Sequence, residues 1–152
     1  MIVREVMHAP AATCAPDDDL GTAVKAMREH DCGFLPVVDT HGIVVGVVTD
    51  RDICLAAGAA RRPLNRVSAN ETMSHPVFSC FPDENLKVVL ATMARHYVRR
   101  LPVLDRNGHL LGVLSTDDIV QAPPRRGAPT AEEVVAALKG ICTQPALEAA
   151  TA

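Results

Sequence analysis

The sequence predicts an α+β fold in which one β-α-β-β-α unit occurs twice. Three observations predict it. The chain of 152 residues matches itself without a gap at an offset of 66 positions, Met7–Ile53 against Met73–Ile119. Each half carries a helix-period apolar stripe followed by two short apolar runs around a glycine turn. The apolar residues, 48% of the chain, are almost all aliphatic, with no Trp, one Tyr and three Phe. Such a core suits helices on small sheets better than a sandwich pinned by aromatics.

The offset is kept by Pro10/Pro76, Cys14/Cys80, Pro16/Pro82, Leu20/Leu86, Met27/Met93 and His30/His96. It is kept again by Leu35/Leu101, Asp39/Asp105, Gly42/Gly108 and Gly46/Gly112. That many identities in one register mark an internal duplication. Residues 1–57 form the first repeat, 58–71 a linker, 72–122 the second repeat, and 123–152 a Pro/Arg-rich stretch with a helical tail.

Each repeat opens on a short extended piece, Ala11–Cys14 or Val77–Cys80. A turn with acids then starts a helix that runs to about His30 or His96. Its apolar stripe is Leu20, Ala23, Val24 and Met27, repeated as Leu86, Val89, Leu90 and Met93. Two strands follow, Phe34–Asp39 with Ile43–Val48 and Arg100–Asp105 with His109–Leu114, joined by turns ending in Gly42 and Gly108. Pro36 and Pro102 lack a ladder donor and are expected at a strand start or an edge. A last short helix begins near Thr49 or Ser115.

In the linker, Arg61 and Arg62 read as a solvated surface pair. Beyond Val120, the prolines from Pro123 to Pro129 break regular structure. Thr130–Glu133 reads as a capping box opening a helix from Glu133 to about Ile141. Its stripe of Val134, Val135, Leu138 and Ile141 requires a partner, either its own module or a second subunit. From Thr143 the chain reads as frayed.

A net charge of −3 argues against a general nucleic-acid binder. Five cysteines without a C-x-x-C are neither a disulfide framework nor a zinc spacing, and they fit reduced thiols in a cytosol. Cys14 and Cys80, in equivalent positions, read as small buried apolar residues. The histidines lack metal-ligand spacing and read as surface or helix-end residues. No signal segment is evident, and no apolar run nears the roughly 18 residues a membrane helix needs, so a soluble cytoplasmic protein is expected.

The stretch most suggestive of chemistry is Gly46-Val47-Val48-Thr49-Asp50-Arg51-Asp52, which returns as Gly112-Val113-Leu114-Ser115-Thr116-Asp117-Asp118. In each, an apolar run ends in a hydroxyl that can cap the next helix, and a carboxylate follows three positions on. A hydroxyl at a helix N-terminus suits an anion, and the carboxylate can accept from ligand hydroxyls. The plainer reading is a cap with a dipole-matched Asp; the repetition in register favours more.

The duplication, the L-P-V-hydrophobic-D hairpin and the G-h-h-[TS]-x-x-D stretch together resemble a tandem pair of cystathionine-β-synthase (CBS) domains, the Bateman module. The resemblance covers about Val3 to Gln121. It implies two β-α-β-β-α repeats packed by pseudo-twofold symmetry, with two clefts between them. It implies an adenosine compound as regulatory ligand (AMP, ADP, ATP or S-adenosylmethionine), no required cofactor, and pairing into a homodimer. Asp52 and Asp118 match the family's ribose-binding Asp, and Thr49 and Ser115 the hydroxyl beside ribose and phosphates. Arg51 and Asp117 occupy a position that can also face the ligand. Arg99 and Arg100 match a place where the family sets basic residues on phosphates, and a guanidinium fork suits phosphate oxygens.

The first repeat departs from that pattern with Gly33-Phe34 in place of Arg99-Arg100. The resemblance therefore implies a better phosphate site at Ser115, Asp118, Arg99 and Arg100, its base lying near Ala9, Cys32 and Gly33, with Asp117 partly offsetting the arginines. The Thr49/Asp52 cleft would take its base against Asn70, His75 and Val98, binding an uncharged adenosine end or nothing.

The expected function is a regulatory, ligand-sensing module that relays occupancy to an unidentified partner protein. The alternative is a ligand-free dimerisation scaffold. An enzyme is not expected: no nucleophile–base signature, phosphate loop or metal cluster stands out.

Overall fold

The computed structural model describes residues 1–59 and 62–143. The expectations for Arg61 and for the chain beyond Thr143 lie outside them. The first repeat contains α1 (Leu20–Glu29), β1 (Phe34–Val38), β2 (Val44–Thr49) and α2 (Asp50–Ala59). A short helix, α3 (Ala69–Thr72), leads into the second repeat. That repeat contains α4 (Leu86–His96), β3 (Arg100–Leu104), β4 (Leu110–Ser115) and α5 (Thr116–Gln121), and α6 (Ala131–Cys142) follows. The α+β architecture is as the sequence predicts.

The helices start where their caps say they should. The Asp19 carboxylate accepts from Thr22 N–H at 3.0 Å to open α1, and Asn85 accepts from Lys87 N–H at 2.9 Å to open α4. Each hairpin is antiparallel, with Leu35 opposite Val48 and Leu101 opposite Leu114. Gly42 and Gly108 have φ of 82° and 90°, the left-handed region the turns demand. Asp39 Oδ1 accepts from the N–H groups of His41 and Ile43, each at 2.9 Å, and Asp105 does the same for Asn107 and His109. Those hydrogen bonds hold both carboxyls below their ordinary pKa.

Two expectations are corrected. The opening strand of each repeat contracts to one residue: Cys14 bridges Val37 and Cys80 bridges Val103, both parallel. Pro36 and Pro102 sit in mid-strand but meet the edge expectation, since each hairpin is a two-stranded sheet. Their carbonyls accept from Cys14 and Cys80 N–H, so the ring nitrogens face the edge where pairing ends after one residue and displace no ladder bond. Val24 leaves the core stripe, being 40% exposed.

Two aliphatic cores result, one per repeat, and each is closed by chain from the far side of the other. Val3 is buried with Leu86, Val89, Leu101 and Leu114 of the second repeat. Its counterpart Ala69, together with Val67, is buried with Leu20, Leu35 and Val48 of the first. The same exchange extends both sheets, His8 pairing with Val113 and Ser74 with Val47. Gly46 and Gly112 are where the crossing chains approach: a Cβ on Gly112 would lie 2.5 Å from the His8 carbonyl oxygen. Ile43 pairs with His109, its own equivalent, so a pseudo-twofold axis passes between them.

Candidate ligand cleft

The strand-to-helix turn of each repeat ties its hydroxyl and carboxylate together. Asp52 Oδ2 accepts from Thr49 N–H at 2.9 Å and from the Thr49 hydroxyl at 2.7 Å, while Thr49 Oγ1 accepts from Asp52 N–H at 3.1 Å. In the second repeat the Ser115 N–H and hydroxyl donate to Asp118 Oδ2 at 2.7 and 2.6 Å, and Asp118 N–H donates to Ser115 Oγ at 3.1 Å. Both pairs are therefore capping boxes. In each carboxylate one oxygen is occupied by the cap. The other has no hydrogen-bond partner among the described residues and remains an acceptor.

A cleft of about 760 Å³ lies between the repeats, in front of the first of these turns. Thr49, Asp50, Arg51 and Asp52 line it from the first repeat. His75, Val98, Arg99 and Arg100 line it from the second. The pseudo-twofold crossing explains the grouping. It lays the segment through Ser74 along β2 and thereby brings His75 and the start of β3 to the β2–α2 turn.

Arg99 and Arg100 line this cleft with Thr49 and Asp52, while Arg100 also lies directly opposite Ser115 in the β3–β4 ladder. Asn70 stands apart on α3, exposed, with its N–H donated to the Pro16 carbonyl, and does not line the cleft. Ala9 lies beside Gly112 of β4, at 3.4 Å from a Cβ placed there. Cys32 and Gly33 line a separate, shallower hollow with Met27, Arg28 and Ile53. Asp117 is exposed on α5. The absence of a side chain at Gly33 has a local cause: a Cβ there would lie 2.5 Å from Asp50 Oδ2.

The cleft also contains residues that the sequence reading did not single out as site residues. Phe78 and His96 stack with ring centroids 3.8 Å apart on its wall. Tyr97, in the left-handed region at φ 56°, turns the chain between α4 and β3. Asp31, its equivalent, does so at φ 47°, so the bend belongs to the repeat and the aromatic to this copy. Ile141 and Cys142, from the last turn of α6, complete the lining.

The helix α6 folds back on its own module. Thr130 and Glu133 form its capping box, Lys87 of α4 pairs with Glu133 at 2.8 Å, and Ile141 enters the second core. The stripe it packs on the second core is Val134, Ala137, Leu138 and Ile141, of which Ile141 is buried and the others partly so; Val135 points outward, 50% exposed, correcting its place in the stripe. Arg62, as expected for surface, is exposed and pairs with Glu71. Burial pushes the Cys14 and Cys80 thiols up to about 11 and 12, as suits small core residues. Among the described residues, no cluster of three or more His, Cys, Asp or Glu is placed to hold a metal ion, and no helix is long and apolar enough to cross a membrane.

Two α+β repeats of one design, exchanging their leading segments and enclosing a cleft at a hydroxyl–carboxylate turn, define a two-repeat cleft module. The chain belongs to the CBS domain family, which matches it over residues 3–58 and 69–125. A CBS domain-containing protein of Bacillus subtilis, YhcV, is 34% identical over 117 residues, covering 77% of this chain and 81% of that protein. The CBS domain pair of MJ0100, solved with 5′-methylthioadenosine and S-adenosylmethionine, superposes with a TM-score of 0.73 at 26% identity, over 80% of this chain and 94% of that one. Hypoxic response protein I, solved with two coordinated zinc ions, gives 0.74 at 30% identity, over 82% and 100%.

Proposed function

We propose that the protein is a regulatory module that binds an adenosine-type ligand in the cleft between its repeats. The observation that carries this reading is the cleft itself, which gathers a carboxylate with a free oxygen, a hydroxyl and three arginines from two repeats. Asp52 would accept from the ribose hydroxyls. Arg51 and Arg100 would take an anionic end such as a phosphate, and the base would lie among His75, Val98 and the stacked Phe78–His96 pair. That division suits a phosphorylated adenosine; the ligands of the MJ0100 domain pair, adenosines without phosphate, support the base and sugar part of it.

A ligand held by residues of both repeats binds some arrangements of the two better than others. Occupancy therefore shifts the population among them. The output in this reading passes to a partner protein, with a homodimer as the working unit and Ser115/Asp118 as a second site. Catalysis forms no part of it.

Isothermal titration with AMP, ATP, S-adenosylmethionine and methylthioadenosine tests the reading. At least one is expected to bind, and Arg100→Ala is expected to lower the preference for AMP over the phosphate-free methylthioadenosine by about tenfold, one charge-assisted contact. No heat from any of the four up to millimolar concentration rejects it in favour of a ligand-free scaffold.

A further inference from the structure

The family match ends at residue 125, and α6 begins at Ala131. The helix is thus an addition to the duplicated repeats, and its last turn reaches the cleft. Three contacts fix it there. Lys87 and Glu133 pair at its first turn. Ile141 is 4% exposed within the second core. Gly140 lies against α4 so closely that a Cβ would come within 3.2 Å of Ala94 Cβ. Two residues beyond Ala94, α4 ends at His96, and Tyr97, Val98, Arg99 and Arg100 follow along the cleft wall. The seat of α6 and the wall of the cleft are therefore one continuous piece of chain.

The charge of the junction is consistent with that coupling. Arg99 Nη2 lies 4.0 Å from Cys142 Sγ, at the C-terminal end of α6, where the partial negative charge of the helix suits a cation. That end disfavours phosphate, and the exposed Cys142 with half-buried Val98 beside it offers apolar surface to an uncharged ring. Arg51 and Arg100 remain for an anion.

We infer that the last turn of α6 is a working wall of the ligand cleft, so that ligand occupancy and docking of α6 on α4 strengthen one another. This rests on the cleft reading above. A ligand touching Cys142, which the burial of Ile141 holds at the cleft, gains that contact only when α6 is seated, and linkage makes the gain reciprocal.

The test uses the full chain with AMP as probe. Amide exchange over residues 131–142 is expected to slow when AMP is added. Gly140→Val, which crowds Ala94, is expected to speed that exchange without ligand and to weaken AMP binding by about tenfold, a typical coupling. Cys142→Trp, which leaves the seat intact and fills the cleft end, is expected to weaken AMP binding with α6 still protected. AMP binding to the wild type with unchanged exchange in α6, or unchanged AMP affinity in both variants, overturns the inference and leaves the cleft reading standing. Failure of AMP to bind the wild type overturns the inference through the reading beneath it.

Discussion

Val24 and Leu90 occupy the same position in the two repeats, yet Val24 is 40% exposed and Leu90 is 3% exposed. The backbone around them is the same by every register that relates the halves. The difference is α6, which packs along α4 and has no counterpart along α1 among the described residues. A second contrast runs the same way, since Gly33-Phe34 stands where Arg99-Arg100 does and Asp50 fills the space above Gly33. Duplicated geometry does not oblige duplicated chemistry: the first copy lines the cleft with its strand-to-helix turn and Arg51, and the second brings Arg99 and Arg100 to it.

The likeness of the two cores can be put under strain first, because the effects there are largest. Leu35 and Leu101 are each fully buried at equivalent positions. Each Leu→Ala change is expected to cost about 2–5 kcal/mol in a denaturant titration. A clear excess at Leu101 would show that α6 stiffens the second core against collapse, and equal losses would show that it does not.

Next in size is a contrast between the two carboxylates. Asp52→Ala and Asp118→Ala each remove a capping partner and are expected to lose about 1 kcal/mol of stability. In titration with AMP, Asp52→Ala should also lose about 1–3 kcal/mol of affinity, the worth of hydrogen bonds to a charged group. Equal loss in both variants would place ligand in both clefts alike.

The smallest effect is the response of the hairpins to acid. Asp39 and Asp105 are both held below the ordinary carboxylate range by the N–H groups they accept from. Their contribution is present above the unfolded-state pKa and is lost as pH falls through the lower folded value. Thermal midpoints measured on descending through the acidic range should therefore fall less steeply in Asp39→Asn and Asp105→Asn than in the wild type. The change should be matched in the two variants, apart from the additional contact of Asp105 with the His109 ring at 3.1 Å.

Much of this was legible in the chain because it is local. Helix starts, glycine turns and the Thr49 and Ser115 caps all depend on residues within four positions of each other, and the repeat printed them twice. What escaped is non-local. His8 pairs with Val113 across the whole length of both repeats, and no periodicity betrays such a partner. That crossing brings the Arg99–Arg100 pair, which lies beside Ser115 in its own hairpin, to the Thr49 turn of the other repeat as well, and no local pattern announces this second neighbour. Ile141 and Cys142 lie outside the duplication, where there was no second copy to consult. Val135 stands outside the packed face because a sequence stripe shows which residues are apolar, and only the neighbour, here α4, decides which of them it covers.

The exchange of leading segments has a consequence for how such a molecule can be divided. Cleaved between α2 and Val67, neither fragment retains a sealed interior: the first parts from Val67 and Ala69, the second from Val3. A solitary repeat of this design could close only by borrowing from a twin, so the smallest self-sufficient body is a couple, whether joined by peptide or not.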